Sequence, residues 1–172
     1  MRDRADHALH EAVHACVALA LGRRVEWARV ATHPVPGRND LAEYGCVKVD
    51  RGGELDRRDL SIFLSAGMYE GSGIAFDTGA SDFGTWPPMW PVRDGEGDRG
   101  QVATTIRLLA LSEEAYGDIV RETAELLDEP AMRNWISRTS LALERKGYLS
   151  GEDIEALAVI QLPDQEEQPC ST

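Results

Sequence analysis

His10-Glu11-Ala12-Val13-His14 is an H-E-x-x-H string. On a helix, residues four apart project from one face, one turn from each other, so two imidazoles at this spacing can grip a single metal ion. Glu11 follows the first imidazole and can point toward a water on that ion. Zinc lowers the pKa of such a water to about 7. A carboxylate then takes the proton as the water attacks a peptide carbonyl, and passes it to the leaving amine. The chemistry implied is Zn2+ held by His10 and His14, with Glu11 as general base. Histidine is scarce, with four in the chain and three of them at positions 7, 10 and 14. The bland reading is a pair of half-buried core histidines beside an incidental glutamate.

A catalytic zinc takes a third protein ligand and keeps one position open. His33 falls in a loop, and His7 lies one turn before His10 and reads as a surface residue. A carboxylate is therefore expected, and the residues leave four candidates: Asp82, Asp94, Glu96 and Asp98.

The elements that must position these groups can be read from periodicity and caps. Residues 4–22 form a helix, with Leu9, Val13, Val17 and Ala20 at helical spacing and Gly22 as its C-cap. Residues 25–31 and 44–49 alternate like strands, joined by a Pro/Gly/Asn-rich loop at 34–40. A helix follows at 56–70, where Ser65, Ala66 and Gly67 are small enough for another helix to approach. Residues 71–97 read as a long irregular segment, in which Trp86, Met89 and Trp90 cap the core or line a cleft. Three helices are expected next: 98–111, with Asp98 as an N-cap; 113–128, capped by Ser112; and 130–146, opened by Pro130 and stopped by Gly147. Ser150 and Asp153 form an S-x-x-D start signal for a last short helix. The fold class expected is mainly α (α+β), one domain over 1–162 with a small hairpin or sheet after the metal helix and a flexible acidic tail at 163–172.

The net charge of −12 and pI near 4.7 repel phosphate backbones and anionic lipid, so no nucleic-acid partner and no membrane insertion are expected. Cys16, Cys46 and Cys170 do not form a disulfide pattern, and Cys16 falls on an apolar helix face. No targeting segment is visible, and the longest apolar run, Ala15 to Leu21, is too short to span a bilayer. A cytoplasmic location fits this balance.

The string ALHEAVHACVALALG resembles the zinc-binding helix of the FtsH-type peptidase domain, the proteolytic half of membrane AAA proteases. RRVEWARV and YGCVKV are similar to the strand pair that follows in that family, and IFLSAGMYE to its A-G helix. GDRGQVATTIRLLA resembles the helix carrying its third ligand, and LALERKGYLSGEDIEAL its closing segment. The resemblance covers roughly residues 6–158 and implies a helical zincin-like fold. It implies His10, His14 and Asp98 as metal ligands and Glu11 as the base. Asp82 is the runner-up, because TGASDF around it is similar to the family segment just before that ligand. The sequence departs from the family in having no G-x-x-x-x-G-K-[ST] phosphate loop, no transmembrane helix and a different pattern after Gly67. The expectation is a zinc metalloendopeptidase acting without an ATP-driven motor on peptides or unfolded segments, as a homo-oligomer or with a separate unfoldase. The alternative is a non-catalytic zinc-binding or regulatory module on the same fold.

Overall fold

The computed structural model describes residues 4–31, 45–50, 52–74 and 97–158, with residues 70–74 described by backbone alone. Outside these lie His33, Asp82, Asp94 and Glu96, the Trp86/Met89/Trp90 group and the tail at 163–172. The elements in order are α1 (Arg4–Ala20), β1 (Arg24–Val30), β2 (Gly45–Asp50), α2 (Arg57–Ile74), α3 (Gly97–Leu108), α4 (Glu113–Asp128), α5 (Pro130–Lys146), β3 (Tyr148–Ser150) and α6 (Gly151–Ala158). The architecture is mainly helical with a small antiparallel sheet, as the sequence pattern predicts.

Helix α1 is the spine. Every residue from Glu11 to Ala18 is buried, and Ala8, Ala12, Ala15 and Ala18 are small enough for α2, α5 and the sheet to close around it. Its end is set by backbone geometry. Gly22 takes a φ of 75°, Arg23 N–H donates to the Ala18 carbonyl at 2.8 Å and Gly22 N–H to the Leu19 carbonyl at 3.0 Å. This is a Schellman stop, and glycine suits it because a Cβ is strained at positive φ. Arg23 then turns inward. Its guanidinium meets Asp59 and Asp56 at 2.9 Å each, tying the end of α1 to the start of α2. Asp59 is 1% exposed, so the pair is buried and removing either member costs about 3–5 kcal/mol.

The sheet order is β2-β1-β3, with both pairings antiparallel. Val30 pairs with Gly45 at the end of the β1–β2 ladder, and a bulge separates Val25 from Trp27. Strand β3 has three residues, too short to show alternation in sequence. It sits between two stop-and-start signals that were legible. Gly147, with a φ of 76°, ends α5, and Ser150 and Asp153 cap each other's backbone N–H at 3.0 and 3.1 Å to open α6. A Cβ on Gly151 would overlap the Val25 carbonyl oxygen, so glycine lets α6 begin directly against β1.

Helix α2 runs to Ile74, four residues beyond the predicted end at 70. It is buried on all sides from Asp59 to Ala66 because it divides two hydrophobic clusters. Ile62 and Ala66 join α1, the sheet, α5 and α6 on one side. Leu60, Phe63 and Leu64 join Val102 of α3 and Tyr116 and Ile119 of α4 on the other. The second cluster is what carries α3 to the core.

Helix α3 stops at Leu108, short of the predicted 111, in a second Schellman turn: Leu111 N–H donates to the Ile106 carbonyl and Ala110 N–H to that of Arg107, both at 3.2 Å. The left-handed position is held by Ala110, with a φ of 47°. Alanine there is strained by about 1–2 kcal/mol, partly offset in Ala110→Gly by the greater freedom of glycine in the unfolded chain. Ala110→Gly should therefore raise unfolding stability by about 0.5–1 kcal/mol. A urea denaturation midpoint that falls would contradict it.

Candidate metal centre

His10 and His14 lie one turn apart on α1, as their spacing requires. Their rings stand nearly edge to face, 84° apart, with centroids at 4.7 Å. Asp98 comes from the first turn of α3, 88 positions beyond His10. Its aim follows from packing. Val102, four residues on, and Thr105, seven on, are buried in the core, so the same face of α3 turns Asp98 toward α1. The sequence allowed Asp98 to be an N-cap. Instead the helix begins at Gly97 and the carboxylate meets the two imidazoles.

His10 Nε2 lies 2.8 Å from Asp98 Oδ2, His14 Nε2 lies 3.2 Å from the same oxygen, and the two Nε2 atoms are 3.2 Å apart. Ligands at tetrahedral zinc distances are separated by about 3.3 Å. The triangle is thus slightly smaller than the zinc arrangement, and a small opening of the His10–Asp98 side would seat an ion. His10, His14 and Asp98 are the group of metal-binding side chains found among the described residues.

The protonation of His14 is fixed by α2. His14 Nδ1 donates to the Ile62 carbonyl at 2.7 Å, and a carbonyl can only accept, so Nδ1 carries a proton. In the neutral ring, Nε2 then presents its lone pair to His10 and Asp98. A histidine whose second nitrogen is held by a backbone carbonyl is the usual form of a metal ligand. The Ser65 hydroxyl donates to the same carbonyl at 2.7 Å. Burial disfavours a charged His14, but the Asp98 carboxylate outweighs it and raises the pKa above the ordinary 6.5. Burial likewise acts to raise Asp98, and the charge and hydrogen bonds of His14 and His10 overcome it, holding the carboxyl well below its ordinary 3.8. Three electron-rich atoms converge here, and a proton or a cation must lie among them.

Glu11 is buried, 7% exposed, and its charge contributes to the raised pKa of His14. It lies against the start of β2: a Cβ on Gly45 would meet Glu11 Oε1 at 2.5 Å. The Cys46 thiol beside it is pushed up by burial and then by the Glu11 charge. Cys16 is core, as expected. Burial pushes its thiol up to about 12, and it donates to Thr139 Oγ1 at 3.5 Å. His7 is half-buried and stands outside the triangle.

Two contributors had no clear sequence signal. The Ile62 carbonyl is backbone, which no side-chain motif reports. Gly45 reads as an ordinary strand glycine in YGCVKV. Asp82, Asp94 and Glu96 fall outside the described residues, so Asp98 is the candidate whose carboxylate is seen against the histidines.

Comparison with known proteins finds no matching family model, no matching curated protein and no matching solved structure.

Two outcomes follow from the triangle. His14→Ala and Asp98→Ala should each abolish stoichiometric zinc uptake in metal analysis of protein reconstituted with zinc; full zinc content in Asp98→Ala would remove it from the ligand set. In metal-free protein the His14–Asp98 pair should stabilise most between pH 3.8 and 6.5. The His14 contribution is complete below 6.5 and is lost as pH rises through its raised folded value. The Asp98 contribution is present above 3.8 and is lost as pH falls through its depressed value. Unfolding followed from pH 5 to 9 should show the His14 loss in the native chain and not in Asp98→Asn.

Proposed function

We propose that this chain is a zinc metallopeptidase with a zincin-like site of the FtsH type, in which His10, His14 and Asp98 hold the metal and Glu11 is the general base. The observation that carries the reading is the convergence of both histidine Nε2 atoms and one Asp98 oxygen within 3.2 Å, next to a buried glutamate. A purely structural zinc site takes four protein ligands and has no use for such a glutamate. Three donors leave a fourth position for water. The exposure gradient supports access to it: the His14 side chain is 8% exposed, His10 21% and Asp98 37%.

A zinc ion held by His10, His14 and Asp98 would supply Lewis acidity to a water and to the scissile carbonyl. The chain's residues do the rest. His14, locked by Ile62, holds its lone pair in place. Glu11, the neighbour of a ligand on a rigid helix, accepts the proton and returns it to the leaving amine.

Extended peptide or unfolded chain is the proposed substrate class. Strand β2 ends the sheet order, so among the described residues its outer edge carries no strand, and its first residue touches Glu11. An extended peptide added to that edge would bring a carbonyl toward the metal. Most of the backbone of a folded protein is already paired, so unfolded or extended segments add in this way far more readily. Among the described residues, no helix is long and apolar enough to cross a membrane.

The deciding experiment compares zinc content and hydrolysis of casein or a peptide library for the native chain and Glu11→Gln. Zinc in both and cleavage by the native chain alone is the expected result, with a fall in kcat of about 100-fold or more. Zinc in both and cleavage by neither would assign the site to binding rather than catalysis.

A further inference from the structure

We infer that Gly45 is a positioning residue for Glu11: the side chain it lacks leaves the space in which the Glu11 carboxylate is held. The contact itself is independent of function, while its catalytic consequence rests on the metallopeptidase reading.

The geometry is specific. A Cβ at position 45 would lie 2.5 Å from Glu11 Oε1, 2.7 Å from Cγ and 2.9 Å from Cδ. Nonbonded carbon atoms sit at about 3.5–4.0 Å, so every one of these contacts is too short. The Glu11 backbone has little freedom to yield. Glu11 is on the buried stretch of α1, between His10 and the fully enclosed Ala12 and Val13. Gly45 is in register with Val30, whose N–H donates to the Gly147 carbonyl at 2.9 Å, and Gly147 in turn closes the end of α5. The end of β1 beside Gly45 is therefore tied to the end of α5. What can move is the outer part of the Glu11 side chain, because the three nearest atoms all lie beyond its Cβ. An alanine at 45 would rotate the carboxylate away and leave the fold standing.

The position of Glu11 matters more than its presence. It must reach both a ligand water and the departing amine, and a displacement of about 1 Å in such a constellation costs about 100-fold in rate. The three atoms nearest to a Cβ on Gly45 all belong to Glu11, and none belongs to a metal ligand. Gly45 thus controls the base separately from the metal. The Cys46 thiol, raised by burial and by Glu11, marks the same proximity from the next residue.

The test uses the full zinc-loaded chain and Gly45→Ala, Glu11→Ala and the double variant. Gly45→Ala should bind one zinc per chain, keep KM for a fluorogenic peptide within about twofold and lose kcat by about 10- to 100-fold. In thermal unfolding, Gly45→Ala should lower Tm when Glu11 is present and lose that effect in Glu11→Ala, a non-additive cycle expected only of groups in contact. A native kcat in Gly45→Ala, or the same Tm loss in both backgrounds, would overturn the inference. A native chain that hydrolyses no peptide would instead overturn the metallopeptidase reading, and the unfolding cycle would still decide whether Gly45 holds Glu11.

Discussion

His10 Nε2, His14 Nε2 and Asp98 Oδ2 converge so closely that a proton or a cation must lie among them. Three electron-rich atoms within 3.2 Å repel one another unless a proton or a cation sits between them. The rest of the fold holds them at that separation. Two of the atoms belong to a helix enclosed from Glu11 to Ala18, and the third arrives on a helix anchored by Val102 and Thr105. A loosely packed frame would let the atoms drift apart and the repulsion vanish. The packed interior around the two helices limits that relaxation to a small opening.

Helix α2 is what makes the frame stiff. Its Ile62 carbonyl receives both the His14 imidazole and the Ser65 hydroxyl, while the Ile62 side chain belongs to the main hydrophobic cluster. One residue thus serves packing through its side chain and orientation through its backbone. At the start of the same helix, Asp59 accepts from Arg23 and from the backbone of Asp56, so α1 and α2 are tied at a second point. These polar links fix how the two helices sit along each other. Apolar contact alone tolerates small slides, whereas a buried imidazole moved off its carbonyl partner loses a hydrogen bond of about 1–3 kcal/mol.

Where the sequence was legible, the signal was local. Ser112, Pro130, Gly147 and the Ser150/Asp153 pair mark helix ends through contacts within a few residues, and each stands in the structure where its chemistry placed it. His10 and His14 were legible for the same reason, since a spacing of four is a property of one helix. Asp98 needed more. By composition it stood level with Asp82, Asp94 and Glu96, and a resemblance singled it out; only tertiary packing turns it onto the histidines. Strand β3 and the Gly45 contact were not legible. The strand's three residues make sense only beside β1, and a missing side chain gives no pattern to count. Ala110 is the opposite case, a residue whose type argues against the left-handed backbone it adopts.

The separation of 88 positions between His10 and Asp98 has a consequence beyond the site. In the proposed zinc-bound form, the ion would be a cross-link between the first helix and the middle of the chain. By the relation used for disulfides, closing a loop of that length removes about 4–5 kcal/mol of freedom from the unfolded chain. The metal would then act as a staple as well as a reagent. The helix that brings the last ligand would be clamped to the core most firmly when the site is filled.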